Sequence, residues 1–284
     1  MTASIPQARM RNPNGRVAVP AAIIERIEEH AVQAWLEIGR LTAGEGFRAE
    51  PFEGGVAIRW DRVPAPLFNR LMAAGRHGTL DVNAVSRLCR EYEAAGLPFS
   101  IQVSSTTQDP SLRPALAEVG FELRDRWSVL AATPETWIEP APPADVEVQQ
   151  IDDDQREAIA GILLAAFGMP ESMMPWIRLL IEAPMVTNFI ARIDGQPAGC
   201  GQIFRAAGVA GLYSGGVLEA FRRRGGHRAL IAARVRSAFD AGHDLVMSET
   251  EAESNQSNRD LTAQGFQLAY LRENWVRTPS SDGR

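Results

Sequence analysis

Between Leu212 and Ile231 the chain passes from an apolar strand pattern, through a glycine- and arginine-bearing turn, into an amphipathic helix. No other stretch limits the fold as much. Leu212 to Leu218 favours extended structure, and Gly215 and Gly216 within it predict a bulge or a ligand drawn close to the backbone. Arg222, Arg223, Arg224, Gly225, Gly226, His227 and Arg228 follow. Beyond them Ile231, Val235, Ala238 and Phe239 recur at i, i+4, i+7 and i+8, the buried stripe of a helix. The first turn of such a helix leaves backbone N–H groups unpaired at the positive end of its dipole. Glycine lets a ligand approach the main chain and arginine adds charge-assisted bonds, so the turn is a candidate seat for phosphate or pyrophosphate.

The preceding half reads as a helix over Val19 to Leu41, a strand over Gly55 to Trp60 and a short helix over Leu67 to Met72. A helix over Asp81 to Ala95 is capped by Asp81 and ended by Gly96. Strands over Pro98 to Val103 and Phe121 to Ala131 flank a helix over Pro110 to Glu118. Thr133 to Asp145 is proline-rich and unpatterned, a semi-extended linker. After it come a strand over Val146 to Ile151 and helices over Asp153 to Phe167 and Pro170 to Glu182. Strands over Thr187 to Ile193 and Ala198 to Phe204 are joined by the hairpin signal Asp194-Gly195. A strand over Asp244 to Ser248, a helix over Ser257 to Gln264, with Ser257 or Asn258 as its cap, and a strand over Phe266 to Val276 complete the pattern. Residues up to about Gly15 and the tail from Pro279 are expected to be frayed.

The Leu212 to Ile231 stretch resembles the acetyl-CoA signature of the GCN5-related N-acetyltransferase (GNAT) superfamily. There, a strand ending in Val-x-Pro-x-Tyr runs into Arg/Gln-x-x-Gly-x-Gly/Ala and a helix. Val217 to Phe221 takes the first part, with Glu219 where proline is usual. Arg222 and Gly225 match the second, and His227 stands where a small residue is usual. Residues 146–276 follow the family's order of elements from end to end. Downstream, Ser257 and Arg259 match a family variant of the last helix, Asp260 replaces its asparagine, and Leu261 occupies the place of a tyrosine that reprotonates the leaving thiolate.

The resemblance implies a mixed α/β fold, an α+β sheet splayed at the cofactor, with acetyl-CoA as donor. A weak internal repeat extends it: in each half a helix ending in Gly-Phe, at Gly120-Phe121 and Gly265-Phe266, feeds a long strand. The chain is therefore expected to be a tandem GNAT, with a degenerate domain over residues 1–135, a linker over 136–145 and a catalytic domain over 146–284. The first copy has only Gly75 to Gly78 near the phosphate position, without the arginine–glycine spacing.

The family pattern assigns the diphosphate to the backbone of Arg223, Gly225, His227 and Arg228, within the cofactor loop Arg222 to Arg228. It assigns the pantetheine arm to the strand at Ser214, Gly215, Gly216, Val217 and Leu218, with the N–H near Val217 polarising the thioester carbonyl. Ser257 and Asn258 lie where the last helix meets that arm. An ammonium must lose a proton before attacking a thioester, so Glu219, Glu249, Glu251 and Glu253 are candidate bases. In place of the tyrosine replaced by Leu261, either Tyr213 or Tyr270 serves as the acid, or water does, or no acid is needed because a CoA thiolate is already a tolerable leaving group.

Composition excludes several other functions. The net charge of −6 argues against a nucleic-acid binder despite the arginine cluster, and no apolar run reaches the length of a membrane span. The segment after Met1 lacks a signal-peptide core, so a cytoplasmic protein is expected. Every basic side chain apart from histidine is arginine, which removes lysine as nucleophile or phosphate ligand. Cys89 and Cys200 are expected as buried free thiols, both distant in sequence from the turn, which favours direct attack over an acyl-enzyme. No metal-ligand spacing, serine elbow or Gly-x-Gly-x-x-Gly is present. The expected activity is acetyl transfer from acetyl-CoA to a primary amine of a small molecule or peptide, by a monomer or homodimer. The alternative is an acyl-CoA-binding sensor that has lost turnover, motivated by His227 and Leu261.

Overall fold

The computed structural model describes residues 19–277 apart from residues 74, 78, 79, 108, 152, 253 and 254. Glu253 and the segments expected to be frayed, up to about Gly15 and from Pro279, lie outside the described residues. The first half runs α1 (Ala21–Thr42), β1 (Phe47–Phe52), β2 (Gly55–Trp60), β3 (Arg70–Met72), α2 (Val82–Ala94), β4 (Phe99–Ser104), α3 (Leu112–Glu118) and β5 (Glu122–Ala132). The second runs β6 (Val146–Gln150), α4 (Arg156–Phe167), α5 (Met174–Ile181), β7 (Val186–Ile193), β8 (Gln196–Ala206), β9 (Val209–Val217), α6 (Gly226–Asp240), β10 (Val246–Glu251), α7 (Gln256–Ala263) and β11 (Gln267–Arg277).

Among the described residues all these strands join one 11-stranded mixed sheet, in the order β1-β2-β3-β4-β11-β5-β10-β9-β8-β7-β6. Only β3–β4 and β9–β10 are parallel neighbours, one pair in each half. The two final strands are exchanged. β5 pairs with β10 of the second half, β11 pairs with β4 of the first, and β5 and β11 lie side by side at the centre. The repeat legible at Gly120-Phe121 and Gly265-Phe266 has a shared geometry. Both glycines have φ +85°, and the phenylalanine N–H groups reach back to Leu116 (2.9 Å) and Leu261 (3.2 Å), ending α3 and α7 alike.

The largest core crosses both halves, joining Ala31, Ile38, Phe47, Ile58 and Trp60 to Ile159, Leu163, Trp176, Ile177 and Ile190. Trp176 is its hinge point, with ring centres 5.3 Å from Trp60, 5.6 Å from Phe68 and 5.8 Å from Phe47. Burying each such side chain is worth roughly 2–3 kcal/mol, so the halves stabilise each other. Thr133 to Asp145 lies along α6 and α7: Trp137 meets the Phe239 ring edge-on at 5.6 Å, and the Ile138 N–H donates to Gln264 at 3.0 Å.

Leu67 to Met72 is not the short helix expected. Pro66–Phe68 is a single 3-10 turn, and β3 then inserts between β2 and β4. The buried Asn69 side chain stops the turn by donating to the Val63 and Ala65 carbonyls, and Leu71 and Met72 are buried in the sheet. β1 has no counterpart among the expected strands, because Phe47-Arg48-Ala49-Glu50 alternates for only four residues before Pro51 breaks the pattern. No helix among the described residues is long and apolar enough to cross a membrane.

Candidate functional site

β9 and β10 pair only from Ala210–Leu212 against Val246–Ser248. Beyond Leu212 and Ser248 no pairing joins them, which leaves one edge of β9 open. β9 is also irregular against β8, where the register shifts between Cys200–Gly216 and Gln202–Tyr213. The bulge expected at Gly215-Gly216 therefore falls at Ser214 and Gly215, with Ser214 at φ +54°.

The buried guanidinium of Arg234, from α6, fills the space beneath the bulge. Nε donates to the Leu230 carbonyl at 3.0 Å, and Nη1 donates to the Tyr213 and Gln202 carbonyls at 3.1 and 3.3 Å. A Cβ at Gly201 or Gly215 would lie 2.8 Å from this guanidinium, so both glycines are needed for the close approach. Burial lowers the Arg234 pKa to about 10, which still leaves a cation at neutral pH. Nothing in the sequence names Arg234 as a site residue; the available signal is a charge set beside Val235 in an otherwise apolar stripe.

After β9, a 3-10 turn at Glu219–Phe221 leads to α6, with Arg223 at φ +62° and Gly225 at φ +84°. The Arg222 N–H still donates to Glu219, and the next backbone donor with a protein acceptor is Ala229, to Gly225 at 3.0 Å. Among the described residues, the consecutive N–H groups from Arg223 to Arg228 have no acceptor, so they form a row of donors at the positive end of α6. The side chains divide differently. Arg224 is tied to Asp194 in the β7–β8 turn at 2.8 Å, and Arg222 Nε donates to the Val217 carbonyl at 3.3 Å. Arg223 and Arg228 are exposed, with no side-chain partner among the described residues. In the first half the equivalent helix, α2, is closed off by its own acid: the Asp81 carboxylate accepts from the Asn83 N–H at 2.9 Å.

A cavity of about 550 Å³ opens between β9 and β10. Tyr213, Ser214, Gly215, His227, Arg234, Glu249, Glu251, Ser257 and Leu261 all line it, together with Trp35, Phe68 and Arg70 from the first half. Gly216, Val217, Leu218, Asn258 and Glu219 are not part of its wall, and Glu219 is exposed on the turn beyond β9. The expected caps of α7 are replaced by Asn255, whose side chain accepts from the Asn258 N–H at 2.8 Å.

Within the cavity Glu249 is buried and engaged, accepting from Arg272 Nη1 at 2.5 Å. Arg272 Nη2 also donates to the Tyr270 hydroxyl at 2.8 Å and to Glu28 at 3.3 Å. Burial opposes the Arg272 charge, but Glu28, Tyr270 and Glu249 outweigh it and raise its pKa. Glu251 is exposed at the rim. Tyr213 stacks on the buried His30 with ring centres 6.0 Å apart, and its enclosed hydroxyl has no partner. Burial raises the Tyr213 pKa above its ordinary value. Cys200, distant from the turn in sequence, is brought beside it because β8 pairs with β9: its Sγ lies 3.9 Å from the Ser214 carbonyl. It is nonetheless absent from the cavity wall, and burial pushes its thiol up to about 12.

Residues 150–266 match the family model described as Acetyltransferase (GNAT) family. No curated protein matches the chain. A GCN5-related N-acetyltransferase from Kribbella flavida superposes with a TM-score of 0.63 at 19% identity, over 88% of this chain and 97% of that one. One from Sphaerobacter thermophilus gives a TM-score of 0.59 at 16% identity, over 92% and 94%. A tandem GNAT protein from the clavulanic acid biosynthesis pathway gives 0.55 at 14% identity, over 90% and 97%. At these identities the likeness is one of fold, and it spans both halves of the chain.

Proposed function

We propose, on the premise that this chain belongs to the acetyltransferase (GNAT) family through residues 150–266, that it transfers an acetyl group from acetyl-CoA to a primary amine by direct attack. One observation carries this reading. The unpaired N–H groups of Arg223 to Arg228 lie at the head of α6, immediately after the strand whose edge is left open by the splay from β10. A diphosphate suits such a row of donors, assisted by the exposed guanidinium groups of Arg223 and Arg228. An extended pantetheine arm suits the open edge of β9 from Tyr213 to Val217. Acetyl-CoA supplies the acyl group as a thioester.

The chain's own residues then divide the proton work. The acceptor's ammonium gives up a proton, its nitrogen bonds to the thioester carbon, and the C–S bond breaks to release thiolate, which takes up the second proton that the nitrogen sheds as the amide forms. Glu251 is the preferred base, because its side chain faces the rim without a partner among the described residues. Glu249 is held by Arg272, and Glu219 stands outside the cavity. With its pKa raised, Tyr213 remains a phenol; a thiolate of ordinary pKa near ~8.5 cannot take that proton, so Tyr213 donates a hydrogen bond to the leaving sulfur. Arg234 fixes the bulge that shapes the carbonyl side of the site. The test is calorimetric titration with acetyl-CoA, followed by thiol release with a panel of amines. Binding with amine-dependent release supports the reading; binding without release from any amine leaves a sensor.

A further inference from the structure

Arg70 belongs to β3, in the half that carries no phosphate seat, yet it lines the same cavity as Tyr213 and Glu249. It is 2% exposed, and its guanidinium lies 4.8 Å from the centre of the Trp35 ring. No group among the described residues accepts a hydrogen bond from it or pairs with it, and its Nε is enclosed without a partner. Burial lowers its pKa to about 10, so it is charged at neutral pH.

Glu249 favours its charge electrostatically, but from beyond ion-pair distance. Glu249 and Glu28 are both taken by Arg272. Arg272 thus holds both buried carboxylates, Arg234 is bonded only to backbone carbonyls, and the remaining carboxylate of the wall, Glu251, stands exposed at the rim, so no carboxylate among the described residues touches Arg70. A buried cation without a counter-charge is costly to hold, and one placed in a cavity wall is the usual mark of a ligand's anionic group. Much of the remaining wall is apolar, including Phe68, Trp176, Phe204 and Leu180.

Resting on the acetyl-transfer reading above, we infer that the acceptor is an amine bearing a carboxylate on an apolar body, and that Arg70 seats the carboxylate beside Trp35. An apolar amino acid is the simplest such acceptor. One guanidinium without a contacting counter-ion suits a singly charged carboxylate, which its planar fork can pair bidentately. Holding the acid end at β3 leaves the amine end for the walls that carry Tyr213 and Glu251.

Tryptophan fluorescence of the full chain tests this with three probes: phenylalanine, 3-phenylpropionate, which lacks the amine, and phenethylamine, which lacks the acid. Both acids should bind at least about 30-fold more tightly than phenethylamine. Arg70→Gln should bring all three to similar affinity, and Arg70→Lys should restore part of the preference. Phenethylamine binding as well as phenylalanine, or neither acid binding, overturns the assignment. The wild-type comparison decides alone if Arg70→Gln does not fold. A parallel titration with CoA separates the two readings. CoA binding without acid preference removes only the Arg70 seat; acid preference without CoA binding removes only the transferase.

Discussion

His227 Nδ1 lies 2.9 Å from Asp260 Oδ2, joining the first turn of α6 to α7. Each residue departs from the GNAT pattern at its own position, and the departures meet in one contact. Burial would raise the Asp260 carboxyl, but hydrogen bonds from His227 and Gln256 outweigh it and hold the pKa below the ordinary value. Replacing either partner alone should cost about 1–2 kcal/mol, since a buried polar group loses its mate. His227→Gly with Asp260→Asn should recover part of the loss, giving a coupling of about 1 kcal/mol in a denaturation double-mutant cycle. Strictly additive losses would disprove the pairing.

The arginines at the head of α6 should not be equivalent. Arg223→Glu and Arg228→Glu should each weaken acetyl-CoA binding by about tenfold or more, measured by calorimetry. Arg224→Ala should change it by less than about threefold, because that side chain is committed to Asp194 and the pair is exposed.

The two cavity carboxylates should separate by readout. Glu251→Gln should lower kcat/KM by about 10²-fold or more and remove the acidic limb of its pH profile, with little change in Tm. Glu249→Gln should act chiefly on stability, by about 3 kcal/mol in chemical denaturation, because it leaves buried Arg272 without one partner.

Acid should destabilise the protein through His30. Its ring is fully buried, Nδ1 lies 3.0 Å from the Ala206 carbonyl, and burial lowers its pKa to about 4. The unfolded chain takes up a proton near pH 6.5 and the folded one only near pH 4. Stability is therefore full above about pH 6.5 and falls as pH drops towards 4, by at most about 1.4 kcal/mol per pH unit. His30→Gln should flatten that part of the Tm–pH curve.

The strand, turn and helix between Leu212 and Ile231 were legible because local chemistry sets them: glycine, arginine and the start of an apolar stripe all lie within one short stretch. The Asp81 cap, the Asp194-Gly195 hairpin and the Gly-Phe endings of α3 and α7 were legible for the same reason. Arg70 and Arg234 were not. Each lies in a run that reads as ordinary core, and its role depends on strands and helices remote in sequence. Cys200 reads as distant from the turn for the same reason, since only β8–β9 pairing brings it near Ser214. β3 reads as a helix in the sequence because three residues are too few to show a strand period.

The crossing of β5 and β11 also bears on the order in which the chain can be completed during synthesis. When residues up to Ala132 have emerged, β4 has no neighbour on the side that β11 later fills, and β5 has neither of its partners. A hydrophobic strand edge thus waits for a segment made about 130 residues later, which favours slow, late closure over stepwise maturation of one half and then the other. Cutting the gene between the halves should yield two fragments, each lacking a central strand, that become ordered only when mixed.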